Sequence, residues 1–187
     1  WLARLSVDRW RRASTPEADA LPTALILETA HGPRITAANE AGLAAGARPG
    51  MLLADARALC PDLVAIPGDP AGDLAALEKL GIWAQRWGPW SALDPPDGLL
   101  VDVTGAAHLF GGEARLIKDV AAAFAAKGLT ARAALAPTAG AAWALSHYGR
   151  VQAILAPGDD PLRLLADLPV AALRLDDDVL TALRRLG

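Results

Sequence analysis

A turn of proline and acidic residues, followed by a short apolar run, constrains the fold of this 187-residue chain more than any other stretch. Pro95 and Pro96 fix their φ angles and withhold two N–H donors, whereas Gly98 lets the chain leave the turn at an unusual angle. Residues 99–103 are rich in Val and Leu, so we predict a strand buried on both faces. Asp97 lies at the mouth of that strand, and a carboxylate there suits Mg²⁺, which takes oxygen ligands in octahedral geometry.

The composition limits the function classes open to the chain. Hydrophobic residues make up 53% of it, enough for one or two small cores. The net charge is −3, so no overall basic field attracts nucleic acid. The single cysteine, Cys60, excludes an intrachain disulfide and a cysteine-rich zinc site. We expect no membrane association, because no apolar run reaches the ~18–20 residues of a membrane span.

The same composition, rich in alanine and free of disulfides, is typical of a bacterial cytoplasmic protein. The chain has no initiator Met and no signal peptide, and its final helical pattern stops abruptly. We therefore expect the chain to be the amino-terminal part of a longer cytoplasmic protein, associated with the nucleoid when active.

Periodicity and chain breakers divide the sequence into short strands and helices, which predicts an α+β (mixed α/β) fold. Strands are predicted over residues 1–7, 23–29, 34–38, 62–66, 90–93, 99–103, 129–136 and 151–155. Helices are predicted over residues 8–12, 39–45, 52–60, 74–87, 106–110, 113–127, 138–148, 160–168 and 176–186. Residues 14–21 are polar and contain Pro16, which predicts a linker. The tryptophans at 83, 87 and 90 are expected in the core, because two of them follow the apolar stripe of the 74–87 helix.

Three motifs resemble the Y-family translesion DNA polymerases, and the resemblance extends over nearly the whole chain. Residues 97–105, DGLLVDVTG, fit the family's second catalytic segment without a gap. Residues 46–63, GARPGMLLADARALCPDL, resemble the family's fingers pattern. Residues 107–113, AHLFGGE, are similar to the ImuB branch, whose members act in bacterial damage-induced mutagenesis.

The resemblance implies a domain organisation. It predicts a palm with a mixed sheet and packed helices over residues 1–13 and 73–158, separated by a small fingers subdomain over residues 14–72. Residues 159–187 correspond to the beginning of a truncated helical thumb. The family's carboxyl-terminal little-finger-like domain, which grips DNA, has no counterpart in this sequence.

The chain departs from the family at the residues that carry its chemistry. The first metal-binding Asp falls on Arg4, or on Ala3 if the register shifts by one, and the second acid of an Asp-Glu pair falls on Gly98. A Tyr and an Arg that grip the triphosphate fall on Glu40 and Leu43, and two lysines are replaced further along. The degenerate positions are therefore Arg4, Glu40, Leu43, Gly98, Ala139 and Trp143.

These losses leave Asp97 as a vestigial carboxylate, and we predict neither a catalytic residue nor a bound cofactor. If a metal binds at all, Asp97 and Asp94 are its predicted ligands. Each lost charge-assisted bond to a triphosphate is worth roughly 1.5–3 kcal/mol, and two-metal chemistry needs several converging carboxylates. The resemblance then implies a non-catalytic adaptor in translesion synthesis. Its implied partners are a RecA-like accessory protein, an error-prone C-family polymerase and, through a region outside this chain, the sliding clamp.

Two other functions remain open. The chain could be an active Y-family polymerase that binds Mg²⁺ through displaced ligands, with Asp8, Asp94 and Asp97 as the set. It could instead be a structural DNA-binding module, in which arginine clusters bind DNA weakly and with steep salt dependence. The sequence does not identify which residues would contact nucleic acid.

Overall fold

The computed structural model describes residues 1–186, except for the side chains of residues 177, 184 and 186. Its strands are β1 (Thr23–Leu27), β2 (Arg34–Ala38), β3 (Val64–Pro67), β4 (Trp90–Asp94) and β5 (Gly98–Asp102). Its α-helices are α1 (Leu5–Ala13), α2 (Pro16–Ala20), α3 (Glu40–Ala44), α4 (Leu53–Leu59), α5 (Pro70–Ala84), α6 (Glu113–Ala126), α7 (Ala139–Tyr148), α8 (Leu162–Leu165) and α9 (Asp177–Leu186). Two 3₁₀ turns cover Ala107–Phe110 and Val170–Leu173. None of the helices within residues 1–186 has both the length and the apolar character needed to cross a membrane.

The first small sheet, in the order β2-β1-β3, confirms the strands predicted around residues 23–29 and 34–38 and pairs them as a hairpin. β1 and β2 are antiparallel, from Ala24 opposite Ala38 to Leu27 opposite Arg34. β3 returns beside β1 in the parallel direction after the two short helices α3 and α4. This unit has its own core, formed by Ala24, Ile35, Ala38, Ala47, Leu53, Ala56 and Leu63.

The second sheet is the β4–β5 hairpin, which pairs Trp90 with Asp102 and Asp94 with Gly98. Its inner face packs on helices: Leu99, Val101 and Val103 contact the largest core. That core joins the start of the chain to α5 and α6 through Leu2, Leu5, Leu77, Leu80, Ala84, Trp87, Leu116, Phe124 and Leu129. The hairpin therefore lies at one surface of the core, with the Asp94–Gly98 turn at its end.

Several sequence predictions are wrong at the start of the chain and around the hairpin. Residues 1–7 are not a strand, because α1 already begins at Leu5 and Asp8 lies in its first turn. The predicted linker contains α2, with Pro16 at its first turn and Thr15 capping it. β5 is only partly buried and ends on an exposed Asp102, so its outer face is open. Trp90 on β4 is also outside the core, with 73% of its surface exposed.

The predicted strands 129–136 and 151–155 also fail. These segments are joined by a single parallel bridge, Leu135 opposite Ile154, rather than by a continuous ladder. A third small core beside them contains Leu145, Ala153 and Leu155. The Thr138 hydroxyl caps the start of α7, where it accepts a hydrogen bond from the Ala141 amide.

Candidate functional site

The turn between β4 and β5 positions Asp97, and an indole lies against its carboxylate. Trp1 donates its Nε1–H to Asp97 Oδ2 over 3.1 Å. The Leu2 amide bonds to the backbone carbonyl of Asp97 over 2.8 Å, which fixes the start of the chain beside the turn. Because an indole is only a donor, it occupies a carboxylate lone pair and offers no metal ligand in return. The sequence reasoning missed Trp1; the signal that could have found it is an aromatic residue just ahead of a core leucine before α1.

Arg4 is elsewhere. It precedes α1 and forms an ion pair with Glu40 at the start of α3, with 3.0 Å between Nη1 and Oε1. The structure therefore brings Arg4 and Glu40 together in one ion pair, whereas Gly98 and Trp143 line a single cavity at the Asp97 turn. Arg4 Nε and Nη2 are buried and lack a hydrogen-bond partner among the described residues.

Position 98 has no room for a side chain. A Cβ placed on Gly98 would lie 2.7 Å from the Asp94 carbonyl oxygen and 2.9 Å from Asp94 Oδ2. These contacts follow from the hairpin register, which sets Asp94 directly opposite Gly98. The carboxylate that the family pattern has at this position would thus require Asp94 to move, backbone included.

An aromatic stack extends from Trp1 across α7. The Trp1 ring stacks on His147 with a centroid distance of 4.2 Å, and His147 stacks on Trp143 at 3.9 Å. The Arg174 guanidinium lies 4.7 Å from the centroid of the Trp143 ring and binds Asp94 over 2.6 Å. Trp143, at a position where the family has a lysine, is therefore an inner layer of a packed column. We call this column, Trp1–His147–Trp143–Arg174, the aromatic stack.

The hydrogen bonds of His147 define its ring orientation. His147 Nδ1 lies 2.8 Å from the Trp143 carbonyl oxygen, to which it donates, and 3.1 Å from Ser146 Oγ. Burial between the two indoles lowers the pKa of His147, because desolvation disfavours the imidazolium. The stack therefore favours a neutral imidazole, which provides no charge for a phosphate.

A mostly apolar cavity of about 170 Å³ lies beneath the stack. Asp94 has the one formally charged side chain among the described residues that line it, and Arg174 already neutralises that carboxylate. A triphosphate needs cations or metal ions to offset its charge in such a low-dielectric space. The cavity is therefore chemically unsuited to a nucleotide.

The remaining predicted positions have separate surroundings. Leu43 packs against the core of the first sheet unit, and Ala139 is exposed at the start of α7. Asp8 is 1% exposed and accepts a 2.6 Å hydrogen bond from the Thr130 amide. Within residues 1–186, described side chains form no group of three or more His, Cys, Asp or Glu that could hold a metal ion, so the displaced set Asp8, Asp94 and Asp97 is not assembled.

The chain has the fold of the Y-family DNA polymerases. The insertion ternary complex of Dbh DNA polymerase superposes on 98% of this chain with a TM-score of 0.79, although the identity is 14% and the chain covers 55% of that protein. DinB from Sulfolobus solfataricus gives a TM-score of 0.69 over 98% of this chain and 55% of its own length, also at 14% identity. The α+β fold expected from the sequence is thereby confirmed.

Residues 7–147 match the model of the impB/mucB/samB family, and the chain belongs to that family. It is 51% identical over 142 residues to Protein ImuB of Caulobacter vibrioides, in strains NA1000 / CB15N and CB 15 alike. This match covers 76% of the chain and 31% of each relative, so the chain spans about a third of the length of the curated relatives it matches. The predicted resemblance to the ImuB branch is confirmed.

Proposed function

We propose that this chain is the polymerase-shaped body of a non-catalytic adaptor in damage-induced translesion DNA synthesis. The observation that carries the proposal is the environment of Asp97, which has an indole N–H on its carboxylate and a glycine without Cβ space beside it. Two-metal phosphoryl transfer needs carboxylates that converge on ions about 3.5–4 Å apart. A lone carboxylate that already accepts an indole hydrogen bond does not meet that requirement.

The charge of the surrounding groups supports the same proposal. Arg174 is the cationic side chain of the aromatic stack, and its guanidinium is engaged by Asp94 and by the Trp143 ring. Glu40, where the resemblance expects a tyrosine, is exposed and paired with Arg4. A nucleotide would have to displace these contacts before its phosphates gained any charge-assisted bond.

The partners of the adaptor are part of the proposal. By family resemblance they are a RecA-like accessory protein and an error-prone C-family polymerase, with the sliding clamp bound through a region outside this chain. Size-exclusion chromatography of the chain with each purified protein tests the first two. We expect co-elution with at least one of them and none with the clamp. Separate elution from both would contradict the proposal that residues 1–187 form the scaffold.

Divalent-metal binding tests the loss of catalysis on the chain itself. We expect Mn²⁺ titrations followed by electron paramagnetic resonance to give equally weak binding for the natural chain and for Asp97→Ala. In parallel, primer extension with deoxynucleotides and Mg²⁺ or Mn²⁺ should give no product, while Dbh polymerase in the same buffer extends the primer. Extension, or tight Mn²⁺ binding, that Asp97→Ala abolishes would favour an active polymerase instead.

A further inference from the structure

Three exposed cationic side chains meet where three helices end. Arg12 lies in the last turn of α1, Arg86 follows the end of α5, and Lys127 follows the end of α6. The Arg12 side chain lies against Gly128, the residue after Lys127, with its Cγ 3.6 Å from the position that a Cβ would take there. The fold thus brings cations from three distant parts of the sequence to one place on the surface.

The indole of Trp83 joins two of these cations. The Lys127 ammonium lies 4.4 Å from the centroid of this ring, and the Arg86 guanidinium lies 5.5 Å from it. Trp83 itself packs edge-on against Trp87 and Phe124 of the main core, which holds the ring in place. Cation–π contacts of this kind restrict the side chains of lysine and arginine. Binding of a ligand to them therefore costs less side-chain entropy than binding to freely moving cations.

The charges of these three cations are not offset by carboxylates. Among the described residues none of the three forms an ion pair, whereas Arg9 and Arg11 of the same helix α1 both do. Asp119 of α6 lies beside Trp87 and accepts its indole N–H over 2.7 Å rather than pairing with Arg86. Helix dipoles attract cations to the carboxyl ends of helices, but that attraction leaves the N–H donors of the side chains available to a ligand.

An exposed isoleucine adds an apolar contact to this group of cations. Ile82 is 71% exposed and lies one turn ahead of Arg86, so the two side chains are neighbours on the outer face of α5. Lys79, which is also exposed, lies one turn ahead of Trp83. We call the surface formed by Arg12, Lys79, Ile82, Trp83, Arg86 and Lys127 the basic patch.

We infer that the basic patch binds an acidic segment of a partner protein, with an apolar side chain of that segment packed on Ile82. The net charge of the chain is −3, so a long polyanion such as duplex DNA meets overall repulsion, whereas a short acidic segment contacts the patch alone. The exposed isoleucine favours the same choice, because a phosphodiester backbone has no apolar side chain to place on it. The patch shares no residue with the cavity at the Asp97 turn, so binding here does not depend on the proposed loss of catalysis.

Fluorescence anisotropy with two labelled peptides tests this inference. The probe is a decapeptide of Asp and Glu with one central Phe, and the control peptide carries Asn and Gln in place of the acids. We expect the natural chain to bind the acidic peptide, more weakly as salt is added, and not the neutral one. Arg86→Gln combined with Lys127→Gln should weaken binding roughly tenfold. Arg57→Gln combined with Arg163→Gln removes the same charge from exposed positions on α4 and α8, and should change the affinity by less than about twofold.

Two further measurements locate the contact. Ile82→Ser should weaken binding of the acidic peptide roughly threefold, and should not affect a version of that peptide with Ala in place of Phe. In the natural chain, amide ¹⁵N–¹H shifts on addition of the acidic peptide should move at residues 79–88 and 124–130. The shift measurement needs no substitution, so it still locates the contact if a variant fails to fold.

Four results would overturn the inference. Absence of binding to the natural chain at low salt would mean that the patch has no acidic ligand. Equal weakening in the two double variants would mean that net charge alone attracts the peptide. Amide shifts concentrated outside the patch would assign the peptide to another surface. Tighter binding of a short DNA duplex than of the peptide, lost in the Arg86→Gln and Lys127→Gln variant, would assign the patch to nucleic acid.

Discussion

Position 98 accommodates only glycine, because Asp94 lies directly against it. Any Cβ at position 98 meets the carbonyl and the carboxylate of that residue within 3 Å. The neighbouring turn and the ion pair from Arg174 hold Asp94 from both sides. The hairpin is therefore packed so that position 98 has no free space for the side chain of a second carboxylate.

Gly98→Glu should destabilise the chain and restore no metal site. We expect a loss of about 1–3 kcal/mol in the free energy of unfolding, from overpacking against Asp94, measured by urea denaturation. Gly140→Ala is the matched control, because Gly140 lies in the exposed first part of α7 with no atom within 4 Å of its Cβ position. That control should be neutral or stabilising by up to about 1 kcal/mol. A Gly98→Glu chain as stable as the natural one would refute the packing argument.

His147 should make stability depend on pH. Burial lowers its pKa in the folded chain, so the unfolded chain takes up the proton first as the pH falls. The stabilisation from the neutral imidazole is present above its ordinary pKa of about 6.5 and declines as the pH falls from there through the lower folded pKa. Urea midpoints should therefore decrease from about pH 7.5 to about pH 5.5. His147→Gln should flatten this decrease, whereas His31→Gln, in the exposed β1–β2 turn, should preserve it.

At the scale of elements, the two tryptophans that flank the start of the hairpin have opposite environments. Trp87 follows α5, is 2% exposed and donates its indole N–H to Asp119 of α6 over 2.7 Å. It also contacts Trp83 and Phe124, which joins α5 to α6. Trp90 begins β4 on the open face of the hairpin, along an open cleft of about 920 Å³.

Replacing each tryptophan with alanine should cost different amounts of unfolding free energy in the two environments. Trp87→Ala is expected to cost about 3–5 kcal/mol of unfolding free energy, because it leaves a large cavity between α5 and α6. Trp90→Ala should stay within about 0.5 kcal/mol, as surface substitutions do. Thermal and urea unfolding of the two variants side by side measure the difference. A similar loss in both would mean that the open face of β4 is covered in solution.

At the scale of the whole molecule, Arg174 connects the carboxyl-terminal segment to the hairpin. The turn from Val170 to Leu173 packs on α7, and Arg174 follows with a φ of 54°. Its guanidinium reaches both Trp143 and Asp94. Because its side chain is 43% exposed, the ion pair itself contributes little, and the contact with the aromatic ring adds about 0.5–1 kcal/mol.

Arg174→Ala should loosen this segment without unfolding the rest. We expect faster amide exchange and faster limited proteolysis around residues 165–180, with β1 and α6 unchanged. Arg163→Ala on α8 is the control, since Arg163 is exposed and contributes no comparable contact. Unchanged proteolysis in Arg174→Ala would indicate that apolar contacts of the Val170–Leu173 turn alone dock the segment.

The sequence by itself determined the elements whose signals are local. The β1–β2 hairpin, α3, α4 and the β4–β5 hairpin follow from glycine and proline breakers next to alternating or periodic apolar residues. The family could also be identified from the sequence, because its fingers and hairpin motifs are continuous in sequence. Gly98 could be identified as the position of a lost carboxylate, because it directly follows Asp97 within one continuous motif.

The tertiary structure alone decided which side chains meet. Arg4 was expected near Asp97, but α1 begins at Leu5 and turns Arg4 toward Glu40, so Trp1 takes the contact. The strands expected over 129–136 and 151–155 form a single bridge, because a β-ladder depends on a neighbour supplied from elsewhere in the chain. The aromatic stack joins residues 1, 143, 147 and 174, and contacts over such separations are set by packing rather than by any local pattern.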